Sequence, residues 1–365
     1  MNGRNWAPAL AGLVIVALMA IGTWFALRPP PPPVPPPAPL GPSPEVLAHL
    51  KRGVNLSNWL QQGPATNEAS RYAPDASDFA LIRRLGLTSV RIPVDPSALL
   101  DEHGLPNAAA LDALREAIAG AAKQQLLVVL ALQLPPESKA QVATDRATRT
   151  ALAGIWRWLA PALGPFTQRE LVLEPLNETE IADPGASRAL LELLVAQIRE
   201  AAPALTLVVS GGAWSAAEEL EKLQPLEDRN LVYSFHFYEP HDFTHQGASW
   251  GDPRWAALRG VRYPSPAGWD RARVEAQVDR AARWGKAHGV PVWCGEFGVL
   301  KQRAAPGDRA AWLRDVRESL EARGIGWAHW DYAGPFGLVS GTRGKRVLDP
   351  RAAKALGLGL APASP

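Results

Sequence analysis

The chain has 365 residues, enough for one closed α/β barrel of about 250 residues with extra segments, or for two ordinary domains. An apolar fraction of 47% against 20% charged residues excludes a disordered chain, and 38 Lys and Arg against 36 Asp and Glu leave no basic surplus to hold a nucleic acid. The single cysteine, Cys294, excludes an intrachain disulfide framework.

Residues 6–27 carry no charge, and roughly 22 residues at 1.5 Å rise cross a ~30 Å hydrocarbon core. Trp6 and Trp24 stand near the ends of this run, flanked by Arg4 and Arg28. The expectation is an N-terminal transmembrane anchor over 1–28. A cleaved signal peptide is the rival, set aside because the apolar run exceeds the usual length of such a segment. From 29 to 44, eleven of sixteen residues are Pro, which predicts an extended polyproline II spacer between the anchor and a globular domain over 45–365.

Beyond residue 45, short β-branched or Leu-rich runs alternate with longer helical patterns, the mark of parallel strands joined by crossover helices. Strands are expected near 53–59, 87–94, 125–133, 170–177, 205–211, 231–238, 290–296 and 325–331, with helices near 107–123, 187–202, 267–288 and 308–323. Asn107 is a predicted N-cap, and Gly86, Gly289 and Gly324 are predicted helix ends. Eight units in this length predict a (β/α)8 TIM barrel rather than an open doubly wound sheet. No Gly-rich dinucleotide fingerprint or P-loop follows a strand, so no cofactor is expected.

Catalytic groups of such a barrel collect at the carboxyl ends of the strands. There the chain offers Arg91, Gln133, Asn177 with Glu178, His236 with Tyr238, Glu296, and Trp330 with Asp331. Two carboxylates from different strands, Glu178 and Glu296, suit glycoside hydrolysis, which needs one acid at the leaving oxygen and one carboxylate at the oxocarbenium-like carbon. His236, His241 and His245 have a spacing that raises a metal site, but Pro240 lies between them and no cysteine accompanies them, so hydrogen-bonded loop histidines and no metal are expected. Cys294 is expected to fill space on an apolar strand. The 14 Trp outnumber Phe and Tyr; Trp59, Trp214 and Trp250 fall at or after strand ends, where platform and core readings are equally open, whereas Trp156, Trp158, Trp284 and Trp312 sit in helical patterns and are assigned to packing.

The runs LVLEPLNE (171–178) and VWCGEFG (292–298) resemble the acid/base and nucleophile strands of glycoside hydrolase family 5, the cellulase-like retaining β-glycosidases. HFY (236–238) with FTHQ (243–246) is similar to that family's sixth strand and loop, and RGVNLSNW (52–59) to its first strand. The resemblance implies Glu178 as general acid/base, Glu296 as nucleophile, and Asn177 on the sugar 2-hydroxyl. It implies that Arg91 and Tyr238 hold Glu296 ionised and aimed, that His236 supports the acid/base end, and that Trp330 floors the subsite of the attacked sugar. Gln133 stands where the family usually has His, and Thr179 where Pro is typical. Gln133, Trp59 and Trp214 complete the expected substrate-binding set. The acid is expected to stay protonated through burial and the carboxylate opposite it.

The sequence therefore predicts a cofactor-free hydrolase, monomeric in its catalytic domain, acting with retention on β-linked glucan or a related polysaccharide. It would be tethered to the membrane on the periplasmic or extracellular side, or secreted if the leader is cleaved. β-Mannan, β-1,3-glucan or a glycolipid are alternative substrates, and a noncatalytic carbohydrate-binding barrel is the alternative from another class.

Overall fold

A computed structural model describes residues 41–61, 72–265 and 268–360. The expected membrane anchor and nearly all of the proline-rich linker lie outside the described residues; among those described, no helix is long and apolar enough to cross a membrane.

Eight parallel strands close in sequence order into a barrel, with β1 (Arg52–Asn55) paired to both β2 (Ser89–Val94) and β8 (Gly326–His329). Between them stand β3 (Leu127–Leu132), β4 (Leu171–Glu174), β5 (Leu207–Ser210), β6 (Leu231–Phe237) and β7 (Val292–Phe297). All eight expected strands form, several of them shorter than the apolar runs suggest. Asn177 and Glu178 accordingly sit in the loop after β4 rather than in the strand itself.

The period-2 alternation of the strands separates two environments. One set, including Val54, Val90, Leu130, Leu173, Val209, Phe235 and Phe297, packs outward against the helices in the main apolar core. The alternate set fills the barrel interior: Leu127, Val129, Val172, Val208, Val232, Trp293 and Ala328 form its lower layers with Val46 and Leu50. The short helix Pro44–His49, capped by Ser43, closes that end, and Trp293 Nε1 donates to Leu50 O at 3.0 Å. Following the same alternation toward the strands' carboxyl ends, the residues turn polar: Asn55, Arg91, Gln133, Glu174, Ser234 and His236. The change from apolar to polar along one face of each strand marks where the core stops and the mouth begins.

The crossover helices obey their local signals. Asn107 caps Ala108–Lys123 through its side chain, and Asp270 caps Arg271–His288. That last helix ends at Gly289, whose φ of 66° is the left-handed conformation an L side chain resists. Trp156, Trp158, Trp284 and Trp312 are buried packing residues, as their helical spacing predicts. Cys294 is also buried on the outward face of β7, where burial pushes its thiol pKa well up and leaves it inert.

Candidate active site

The β6–β7 pairing is irregular at one place. Phe235 lies opposite Cys294, but the next residue, His236, lies opposite Glu296, so Gly295 is the extra residue of a bulge. The bulge re-aims β7 and brings Glu296 into the mouth beside His236. Glycine is required there because a Cβ on Gly295 would sit 2.7 Å from Ser234 Oγ and 3.2 Å from His236 Nε2.

Both oxygens of Glu296 accept hydrogen bonds. Arg91 Nη1 donates to Oε1 at 2.6 Å and the Tyr238 hydroxyl donates to Oε2 at 2.7 Å. Burial first, and then the Glu296 and Glu178 charges, push the Tyr238 pKa well above its ordinary value, so the phenol remains a donor. Arg91 is wholly buried and makes five hydrogen bonds, matching its five N–H donors. Two go to Glu174 at 2.7 and 2.8 Å, and the others to Asn55, Glu296 and Asn177. Burial disfavours its charge, but the Glu174 and Glu296 carboxylates outweigh this and raise its pKa. Arg91 Nη2 donates to Asn177 Oδ1 at 2.6 Å, which commits the amide oxygen of Asn177 to the guanidinium.

Glu178 faces Glu296 across the mouth with 18% of its side chain exposed, so a substrate can reach it. Its φ is +36°, a strained value for a non-glycine residue and one often found where a loop must aim a catalytic group. Oε1 lies 2.8 Å from His236 Nδ1, and Oε2 accepts from Lys139 Nζ at 3.2 Å. The same His236 nitrogen is 3.7 Å from Glu296 Oε2. A carboxylate oxygen from each Glu and a ring nitrogen of His236 all lie within 4.8 Å of one another.

The protonation expected from sequence is corrected here. Burial does push Glu178 upward, but the Lys139 ammonium and the hydrogen-bonded His236 outweigh it and hold the carboxyl well below its usual range. Burial pushes His236 down, and the Glu296 and Glu178 carboxylates more than reverse this, raising its pKa. His236 Nδ1 and Glu178 Oε1, 2.8 Å apart, thus share one hydrogen bond, with the imidazole biased toward its protonated form and the carboxyl toward its ionised form.

The donor set does not suit a metal ion. All four oxygens of Glu178 and Glu296 face protein donors, and two permanent cations, Arg91 and Lys139, point at the cluster. His241 and His245 build a ring stack instead: His241 lies parallel to Trp255 at 4° and 5.7 Å, and His245 packs on the same indole at 4.7 Å. His245 is buried, which lowers its pKa to about 3, and its Nδ1 meets Thr244 Oγ1 at 3.0 Å.

The aromatic candidates divide. Trp214 and Trp250 are 50% and 49% exposed. Trp59 is only 7% exposed and belongs to the apolar core, so its place in the substrate-binding set is corrected to a packing role. Trp330 is half-buried at the end of β8, beside Phe336, Leu300 and Ala248. Gln133 reaches the mouth after β3, and its Oε1 has no hydrogen-bond partner among the described residues. The Thr179 carbonyl accepts from Trp214 N at 2.8 Å and ties the loops after β4 and β5 together. Asn55, Glu174 and Lys139 were missed as site residues. The first two stand inside motifs already singled out, and the buried Arg91 demanded partners of their kind.

Residues 52–334 match the cellulase family, glycosyl hydrolase family 5. The chain belongs to that family. It is 25% identical over 360 residues to endoglucanase 3 of Fibrobacter succinogenes, covering 86% of this chain but only 54% of that relative, so it spans about half of that protein's length. It is 27% identical to endoglucanase C of Acetivibrio thermocellus, covering 78% of this chain and 92% of the relative. A hyperthermophilic endo-β-1,4-glucanase solved with substrate superposes with a TM-score of 0.77 at 27% identity, covering 86% of this chain and 98% of that one.

Proposed function

We propose that this family 5 enzyme hydrolyses β-1,4-linked glucan within the chain, by double displacement with retention of configuration. The observation that carries the reading is the approach of the two carboxylates: oxygens of Glu178 and Glu296 lie within 4.8 Å. Retaining glycosidases hold their carboxyl groups about 5–5.5 Å apart, and inverting enzymes leave room for a water at about 6.5–9.5 Å.

In the first displacement a Glu296 oxygen forms a bond to the anomeric carbon while the glycosidic bond breaks. The leaving oxygen takes a proton from Glu178, which Glu178 receives along its 2.8 Å contact with His236. In the second, Glu178 removes a proton from water, the water oxygen bonds to the anomeric carbon, and the Glu296 ester breaks. Arg91 and Tyr238 hold Glu296 on its attack line, and Asn177 meets the 2-hydroxyl. No cofactor enters either step. Trp214 and Trp250 supply ring platforms along the cleft.

The test is proton NMR of cellopentaose hydrolysis by the full-length protein. New reducing ends should appear first as the β anomer. Initial α anomer would exclude double displacement, and no new reducing ends would favour a noncatalytic binding barrel. β-Mannan, β-1,3-glucan and a glycolipid substrate compared in parallel define the preferred polymer. The apolar run 6–27 and the proline tract support the further reading of a tethered enzyme, and action on a polysaccharide supports a periplasmic or extracellular catalytic domain.

A further inference from the structure

Lys139 lies on the helix Pro136–Thr144 that follows β3, a segment whose PPESKAQ sequence carries no catalytic signature. Only 5% of it is exposed, although a buried ammonium is costly unless it is paired. Its Nζ stands 3.2 Å from Glu178 Oε2 and 4.8 Å from the ring centre of Trp214. The indole is held in that position by an unusual turn. Ala213, Trp214 and Ser215 have successive φ values of 39°, 63° and 56°, and the turn is pinned by Trp214 N to Thr179 O and by Ser215 Oγ to Ser210 Oγ at 2.9 Å. The acid/base, the ammonium and the exposed indole thus form one constellation drawn from the loops after β3, β4 and β5.

Charged and titratable groups face Glu178 from several elements: Lys139 from this helix, His236 and Tyr238 from β6 and its end, His245 from the loop that follows, and Glu296 from β7, with Arg91 on β2 beyond Glu296. His236, Tyr238 and Arg91 all contact Glu296 as well. Among the described residues Lys139 is ion-paired with Glu178 alone. It can bias one catalytic carboxylate without moving the other.

We propose that Lys139 is a positioning residue that decides when Glu178 gives its proton and when it takes one. The proposal rests on Glu178 being the acid/base. A cation at Oε2 favours the carboxylate, which assists proton removal from water in the second displacement and opposes proton donation in the first. The alkaline limb of kcat/KM, where the proton donor is lost, therefore sits at lower pH with Lys139 than without it. A sugar in the leaving-group position competes with the ammonium for Glu178, with Trp214 beside both.

The experiment compares pH profiles of wild type, Lys139→Met and Lys139→Arg on cellopentaose and on 2,4-dinitrophenyl β-cellobioside. For Lys139→Met on cellopentaose, the alkaline limb should move up by about one pH unit or more, the size of shift a close opposite charge produces. The limb should stay in place for Lys139→Arg, and the dinitrophenyl glycoside, whose leaving group departs without a proton, should show the same alkaline profile with and without Lys139. An unmoved limb in Lys139→Met on cellopentaose, including a uniform loss of rate at every pH, overturns the proposal. Lys139→Gln is read in the same way if Met at this buried site prevents folding. Glu178→Gln is measured alongside. Wild-type cellopentaose hydrolysis by that variant would overturn the acid/base assignment itself, whereas its inactivity together with an unmoved Lys139→Met limb would overturn only the role of Lys139.

Discussion

Glu296→Gln should lower kcat on cellopentaose by on the order of 10⁴-fold or more while the protein stays folded. The amide keeps nearly the shape of the carboxylate. Its oxygen can still accept from Arg91 Nη1, now 2.6 Å from Oε1, so the buried guanidinium is not stranded. What disappears is the charged oxygen that bonds to the anomeric carbon. Thermal unfolding and oligosaccharide binding should stay near wild type, separating loss of chemistry from loss of structure. Turnover within tenfold of wild type would remove Glu296 from the nucleophile's role.

Arg91→Lys should be the more damaging change to the fold. Arg91 bridges four residues, Asn55, Glu174, Asn177 and Glu296, through a planar fork at 2.6–2.9 Å. Lysine has three donors at one point and cannot span that set, so at least one buried carboxylate loses a charged partner. Breaking a buried ion pair costs roughly 3–5 kcal/mol; retaining a positive charge places Lys at or below the lower end. Urea unfolding should therefore show a loss of about 2–3 kcal/mol. Because Glu296 loses its aim and Asn177 its anchor, kcat/KM should fall by roughly 10²-fold or more, as expected when reacting groups are misplaced. An unfolding midpoint and kcat/KM both within experimental error of wild type would show that the network does not organise the site.

The two predictions draw on parts of the molecule that were unequally legible in the sequence. Glu178, Glu296, Arg91, His236 and Tyr238 are polar endings to apolar runs, and a barrel topology suffices to bring such endings to one mouth. Glu174 and Asn55 were open to the same reading, since they share the inward face with Arg91 and a buried guanidinium must be paired. The bulge at Gly295 was not readable, because it shows only in the register against β6, where Ser234 and His236 leave no room for a Cβ. Neither was the division between Trp59 and Trp214. Both follow strands, and only the tertiary path of the left-handed turn at 213–215 turns the second indole outward. Lys139 gave no signal at all: its meaning depends on a distance between a helix residue and a loop residue 39 positions apart. That distance also works against the protonated Glu178 expected from sequence, which shows burial and the opposing carboxylate but not the cation.

The central claim is that Glu296 becomes covalently bound to the sugar while Glu178 handles the proton. It is tested most directly by incubating the enzyme with 2,4-dinitrophenyl 2-deoxy-2-fluoro-β-cellobioside and mapping the label by peptide mass spectrometry. A single fluorocellobiosyl ester should form on the peptide containing Glu296, with one dinitrophenolate released per active site. Label on Glu178 or elsewhere in the cleft, or continued release of dinitrophenolate with no trapped enzyme, would contradict it.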